Sequence, residues 1–175
     1  MNSSLEKLVD QIESQRSSVL QSVRGLTTEQ LNRVPAPGKW SAAEVLSHVI
    51  TAERMSVAYM QKKIHGIEKA SRSGAWEDLK LVILKVSQRL PGLKFKAPKR
   101  VVENTTLYRD FTSIETEWEK VRKDLRKMLD QIPEHGLKRM IYKHPIVGYL
   151  NVRHAVIFFH EHLYHHIPQI KKLLK

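Results

Sequence analysis

Four long stretches of this chain repeat their apolar residues at spacings of three and four, and mostly turn-forming residues separate them. That period marks a helix with one buried face, so the chain must fold by bringing helix faces together. With only seven glycines, the stretches are also built from good helix formers. The first runs from Ser4 to Val23 with Leu5, Leu8, Ile12, Val19 and Val23 as its stripe, and Gly25 closes it. Thr27 to Leu31 reads as a short connecting turn, and Val34 to Trp40, with Pro35 and Pro37, as a proline-stiffened loop.

Ser41-Ala42-Ala43-Glu44 is a capping box, in which the serine accepts from the third amide and the glutamate reaches back. It opens a second helix to about Ile64, with Val45, Val49, Ala52, Met55 or Ser56, and Tyr59 on its expected buried face. Helical periodicity from Trp76 to Leu90 stops at Pro91-Gly92, and Leu93 to Asn104 reads as a basic loop. Thr112-Ser113-Ile114-Glu115 reads as a second capping box, opening a third helix through Trp118, Val121, Leu125, Met128 and Ile132 that Pro133 ends. Met140 to Leu150 reads as a loop, and Asn151 as the cap of a fourth helix reaching the C-terminus. The pattern predicts one all-α domain over residues 1–175, a four-helix bundle with crossover connections.

Composition narrows the chemistry. The absence of cysteine excludes a thiolate nucleophile, a cysteine zinc site and an iron–sulfur cluster. No basic leader followed by an apolar run starts the chain, and no apolar run is long enough to span a bilayer. The expectation is a cytoplasmic protein without a membrane partner. A formal charge of +12 could attract nucleic acid, anionic lipid or an acidic small molecule. The basic residues are dispersed, however, with no interleaved aromatics and no base-reading motif, so no nucleic-acid partner is expected.

Four of the nine histidines fall within seven residues, about two turns, of the last helix: His160, His162, His165 and His166. Val152, Ala155, Val156, Phe159, His162, His166, Ile170 and Leu173 form one continuous stripe. His162 and His166 therefore stand where the helix feeds its core, and burying an imidazole is costly unless its nitrogens are satisfied. One metal ion would satisfy a nitrogen on each. His48 lies on or beside the buried face of the second helix. Alone it could equally be a core histidine bonded to a carbonyl; with the pair it becomes a third ligand candidate. The competing reading is three core histidines satisfied by ordinary hydrogen bonds. His160 points away from His162, His165 flanks the pair, and His65, His135, His144 and His154 read as surface or loop residues. Glu44, Glu53 and Glu161 are possible acceptors for ligand N–H groups.

Three stretches carry a family resemblance: Pro37-Gly38-Lys39-Trp40-Ser41-Ala42-Ala43-Glu44-Val45-Leu46-Ser47-His48, His144-Pro145-Ile146-Val147-Gly148-Tyr149-Leu150-Asn151, and Glu161-His162-Leu163-Tyr164-His165-His166-Ile167-Pro168-Gln169-Ile170. The chain resembles the DinB-like (YfiT-type) superfamily of metal-dependent four-helix-bundle proteins. That resemblance places the metal triad on His48, His162 and His166, and gives Gln169 a structural position. It implies hydrolysis, or alternatively S-transfer or isomerisation with a low-molecular-weight thiol as cosubstrate; a homodimer is also implied. A non-catalytic, metal-binding stress-response module is the third alternative. Three histidines without a fourth protein ligand make an open site, where a metal can activate water or polarise a bound small-molecule substrate. A divalent transition metal is expected, with Zn²⁺ or Ni²⁺ suiting neutral imidazoles best.

Overall fold

The computed structural model describes residues 2–90 and 97–175. Its helices are α1 (Ser3–Val23), α2 (Thr28–Asn32), α3 (Ala42–Ile64), α4 (Ala75–Arg89), α5 (Lys99–Glu103), α6 (Phe111–Asp130) and α7 (Val152–Leu173), with a hairpin of β1 (Tyr142–His144) and β2 (Gly148–Leu150) before the last. Helices α1, α3, α6 and α7 form the bundle. Both α1 and α3 pack against α6 and α7, while α4 lies along the outside of α7. Helices α1 and α3 thus sit across one diagonal of the bundle and α6 and α7 across the other, so the α1–α3 and α6–α7 connections must cross the bundle ends, while α3 and α6 are neighbours. Among the described residues, no helix is long and apolar enough to cross a membrane.

Local chemistry fixes the boundaries. Ser41 Oγ accepts from Glu44 N (3.2 Å) and Glu44 Oε2 accepts from Ser41 N (2.7 Å), completing the expected capping box of α3. Asn151 Oδ1 accepts from His154 N (2.8 Å), so the start of α7 is also as expected. The turn predicted at Thr27 is a short helix with its own Thr27–Gln30 capping box. The cap of α6 is not at Thr112. Asp110 Oδ1 accepts from Ser113 N at 2.8 Å, and Thr112 lies inside the first turn. A carboxylate at that position also suits the positive end of the helix.

The segment 140–150, expected as a loop, contains an antiparallel hairpin pairing Tyr142 with Leu150 and His144 with Gly148. Gly148 takes φ +78, which a residue with a side chain rarely adopts, and so closes the turn. Part of the expected basic loop at 93–104 lies outside the described residues; within the rest, Lys99–Glu103 is helical.

The buried line of α3 is also displaced from the expected one. Leu46, Ile50, Val57 and Met60 are buried, as are Val45 and Val49, whereas Ala52, Met55, Ser56 and Tyr59 are half-buried. A carboxylate interrupts the true stripe. Glu53 is almost wholly buried between α3 and α6, where its Oε2 accepts from Trp118 Nε1 (3.0 Å) and its Oε1 from Arg122 Nη2 (2.8 Å). In α1 the stripe passes through Val9, with Leu8 half-buried beside it.

Candidate metal centre

His48 stands two turns into α3, its position set by the Ser41 cap, while His162 and His166 stand one turn apart on α7. Packing of α3 against α7 closes the group. The ring centroid of His48 is 5.2 Å from those of both His162 and His166, and these two are 4.8 Å apart. One nitrogen from each ring lies within 4.8 Å of the others. His48 and His166 are buried, and His162 is half-buried with its Nδ1 enclosed.

Two observations test whether these residues suit a metal. First, the Nε2 atoms of His162 and His166 are 3.3 Å apart. Two nitrogens each about 2.0–2.1 Å from a tetrahedral ion are separated by about that distance. Second, the Nδ1 atoms of His48 and His162 are buried without a hydrogen-bond partner. Rings kept for ordinary core hydrogen bonding would have their nitrogens served, so the His48 Nδ1 counts against that reading; His162 faces His166 with its Nε2, and its unserved Nδ1 favours neither reading. The donor set is three neutral imidazoles and fits a divalent transition metal.

Electrostatics keep these rings ready to donate lone pairs. Burial lowers the pKa of His48 to about 4. Burial also lowers His166 to about 4, against a hydrogen bond to Gln169 that favours its charged form. His162 falls well below the ordinary histidine range, first through burial and then through the neighbouring His166 and His48. Metal ligation requires the deprotonated ring, so burial has already met part of the cost.

The surrounding shell differs from the expected one. Glu44 serves the α3 cap, Glu53 serves Trp118 and Arg122, and Glu161 pairs with Arg89 (2.6 and 2.8 Å); these bonds go elsewhere than to the three rings. The partner that does reach a ligand is Gln169, whose Oε1 lies 3.0 Å from His166 Nδ1. Accepting there, the amide holds the proton on Nδ1 and leaves the Nε2 lone pair facing His162. Its spacing of three residues after His166 on a helix was the available signal.

His144 and His154, expected at the surface, are both buried. His144 Nδ1 accepts from the backbone N–H of Ile146 (3.2 Å) and Val147 (3.3 Å), bracing the hairpin turn. Its ring meets Phe158 edge-on at 4.6 Å, and Phe158 stacks on His162 at 5.2 Å. The hairpin therefore backs the site through one aromatic ring. On the other side, Trp40 from the proline-stiffened loop lies 5.2 Å from His48. His154 Nε2 lies 3.0 Å from Asp78 Oδ1 and ties α7 to α4. His165 meets His166 edge-on and its Nδ1 reaches the carbonyl of Gln88 (3.0 Å). His160 stacks on Tyr164 away from the triad, and His135 pairs with Glu68. A groove of about 1220 Å³ between α1 and α6, lined by residues such as Arg16, Arg24, Glu119 and Lys123, shares no residue with this site.

The profile of the DinB superfamily matches residues 11–170. The chain belongs to the DinB superfamily. It is 24% identical over 151 residues to YuaE, an uncharacterised protein of Bacillus subtilis (strain 168), covering 86% of this chain and 87% of YuaE. Its fold resembles that of YfiT from Bacillus subtilis at a TM-score of 0.59 and 15% identity, covering 99% of this chain and 87% of YfiT. YfiT is described as a probable metal-dependent hydrolase with an unusual four-helix bundle topology.

Proposed function

We propose that this DinB-superfamily chain is a metal-dependent hydrolase of a small-molecule substrate, its divalent transition metal, zinc or nickel, held by His48, His162 and His166. The observation that carries the reading is the convergence of these three rings from two helices, with one nitrogen of each within 4.8 Å of the others. When bound, such an ion supplies Lewis acidity and activates water near neutral pH. The chain's own residues prepare the position. Gln169 fixes the His166 ring through its Nδ1 proton, and Phe158 and Trp40 flank His162 and His48, limiting water around the imidazoles. A donor set without carboxylates leaves the ion's charge uncompensated, which favours a substrate group that develops negative charge.

The description of YfiT as a probable metal-dependent hydrolase supports the hydrolase reading over S-transfer. The test is turnover by the zinc- or nickel-loaded protein of a panel of esters and amides, beside chloro-aromatic and epoxide substrates supplied with bacillithiol, mycothiol or glutathione. Hydrolysis that disappears in His48→Ala is expected. Thiol-dependent turnover alone would reassign the chain as a thiol S-transferase, and metal binding with no turnover in either arm would leave a non-catalytic module.

A further inference from the structure

The inward face of the hairpin lies over the two helices that carry the metal ligands. In β1, Tyr142 and His144 are buried and Lys143 between them is exposed, so both buried side chains leave the strand on one face. On that face Tyr142 Oη lies 3.3 Å from Ser56 Oγ of α3, and its ring stacks on Phe158 of α7 at 6.2 Å. His144 follows two residues on, 4.6 Å from the same Phe158, which also stacks on His162. It is near enough that a positive charge on it disfavours one on His162.

The two nitrogens of His144 are used differently. Nδ1 accepts from Ile146 N and Val147 N, so its lone pair is engaged and the proton of the neutral ring belongs on Nε2. Among the described residues nothing accepts from that Nε2, and it is not sealed in as the unpaired Nδ1 atoms of His48, His154 and His162 are. Bracing the turn needs only an acceptor, which asparagine also offers. The ring adds an N–H at its far end, clear of the turn. Burial lowers the His144 pKa to about 4, so near neutral pH the ring donates a hydrogen bond without carrying a charge that would repel a metal cation. We propose that His144 is the substrate-orienting donor of the metal centre, its Nε2–H directed at the oxygen of an ester or amide substrate on which negative charge develops. This role rests on the hydrolase reading above. A substrate held at one point can turn, and a second attachment from the hairpin fixes its orientation. A neutral donor aligned before binding suits such an oxygen, because no water has to be reorganised around it.

Two substitutions separate the brace from the donor. In His144→Asn the amide oxygen stands in for Nδ1 and holds the turn, while nothing replaces the Nε2–H. In His144→Gln the longer side chain returns an N–H near the Nε2 position. The probe is acetate, titrated into the Co²⁺-loaded protein and followed by the cobalt visible spectrum. His144→Asn is expected to bind Co²⁺ as the wild type does and acetate about tenfold more weakly, with His144→Gln recovering most of the loss. With 4-nitrophenyl acetate as substrate, kcat of His144→Asn is expected to fall about a hundredfold while KM changes little. Two readouts use the wild type alone. Long-range ¹H–¹⁵N spectra of the metal-free protein are expected to show His144 protonated at Nε2, and acetate added to the Zn²⁺-loaded protein is expected to shift that N–H resonance. These decide the matter even if His144→Asn unfolds. A ring protonated at Nδ1, an Nε2–H resonance indifferent to acetate, or unchanged acetate affinity in folded, Co²⁺-loaded His144→Asn would overturn the role and leave the hydrolase reading standing. A wild type that takes up neither Co²⁺ nor Zn²⁺ would refute that reading and the role together.

Discussion

Replacing Gln169 by leucine tests whether the histidine cluster is built to bind a metal. The substitution keeps the size of the side chain and removes the oxygen that lies 3.0 Å from His166 Nδ1. His166 then loses the partner that fixes its tautomer and orients its Nε2. Loss of such an outer partner ordinarily costs 10- to 100-fold in metal affinity, about 1.4–2.7 kcal/mol. Gln169 is exposed, so water can take over part of the bond, which places the expected loss near the lower end, about tenfold. The assay is titration of metal-free protein with Zn²⁺ in competition with a chromophoric chelator, at fixed pH, for the wild type, Gln169→Leu and Gln169→Glu. The glutamate supplies a stronger acceptor and is expected to restore or exceed wild-type affinity. A folded Gln169→Leu protein whose affinity stays within twofold of wild type would refute the reasoning, because the amide would then have no hold on a ligand.

Three further outcomes follow from the same structure. For the metal-free protein, His48, His144 and His166 each titrate at about 4 when folded, lowered by burial from an ordinary 6.5. The unfolded chain therefore takes up these protons first. Stability is fully present above pH 6.5 and is lost as pH falls toward about 4, with a slope of up to about 1.4 kcal/mol per pH unit for each histidine. Chemical denaturation from pH 7.5 to 4.5 measures this, and a flat profile contradicts it. Glu53→Ala leaves the Trp118 N–H without its acceptor and Arg122 with only the longer Glu13 contact (3.4 Å), and is expected to cost about 3 kcal/mol, the low end for breaking a buried pair. Glu53→Met with Arg122→Met is expected to cost much less, and equal losses would show that the pair itself stabilises the fold. Asp110→Ala is expected to cost about 1 kcal/mol in urea denaturation and Thr112→Ala much less, with the reverse order placing the α6 cap where the sequence suggested it.

Much of the bundle was readable because its determinants are local. The Ser41–Glu44 box and the Asn151 cap need only three or four consecutive residues, and the long stripes need only helical period. His162 and His166 stood out as polar residues within an apolar line, and His48 joined them by position and family resemblance. What was missed depends on partners distant in sequence. Glu53 disguised the true stripe of α3 because its compensation, Trp118 and Arg122, comes from α6. The strands of the hairpin are three residues each, too short to show alternation, and the first is held by packing on α3. His144 and His154 looked superficial because each lies beside a turn or cap, yet Phe158 and Asp78 from neighbouring elements enclose them. At α6, Asp110 outcompeted Thr112 because both residues offer a capping oxygen and only the backbone shows which one is extended.

The most direct test of the central claim is elemental analysis of the protein purified without a histidine tag, alongside His166→Ala prepared identically. The account predicts about one divalent transition-metal ion per chain in the wild type and almost none in the variant, with both proteins folded by circular dichroism. A wild-type protein that neither carries nor takes up zinc or nickel, or a His166→Ala protein that retains a full complement, would contradict it.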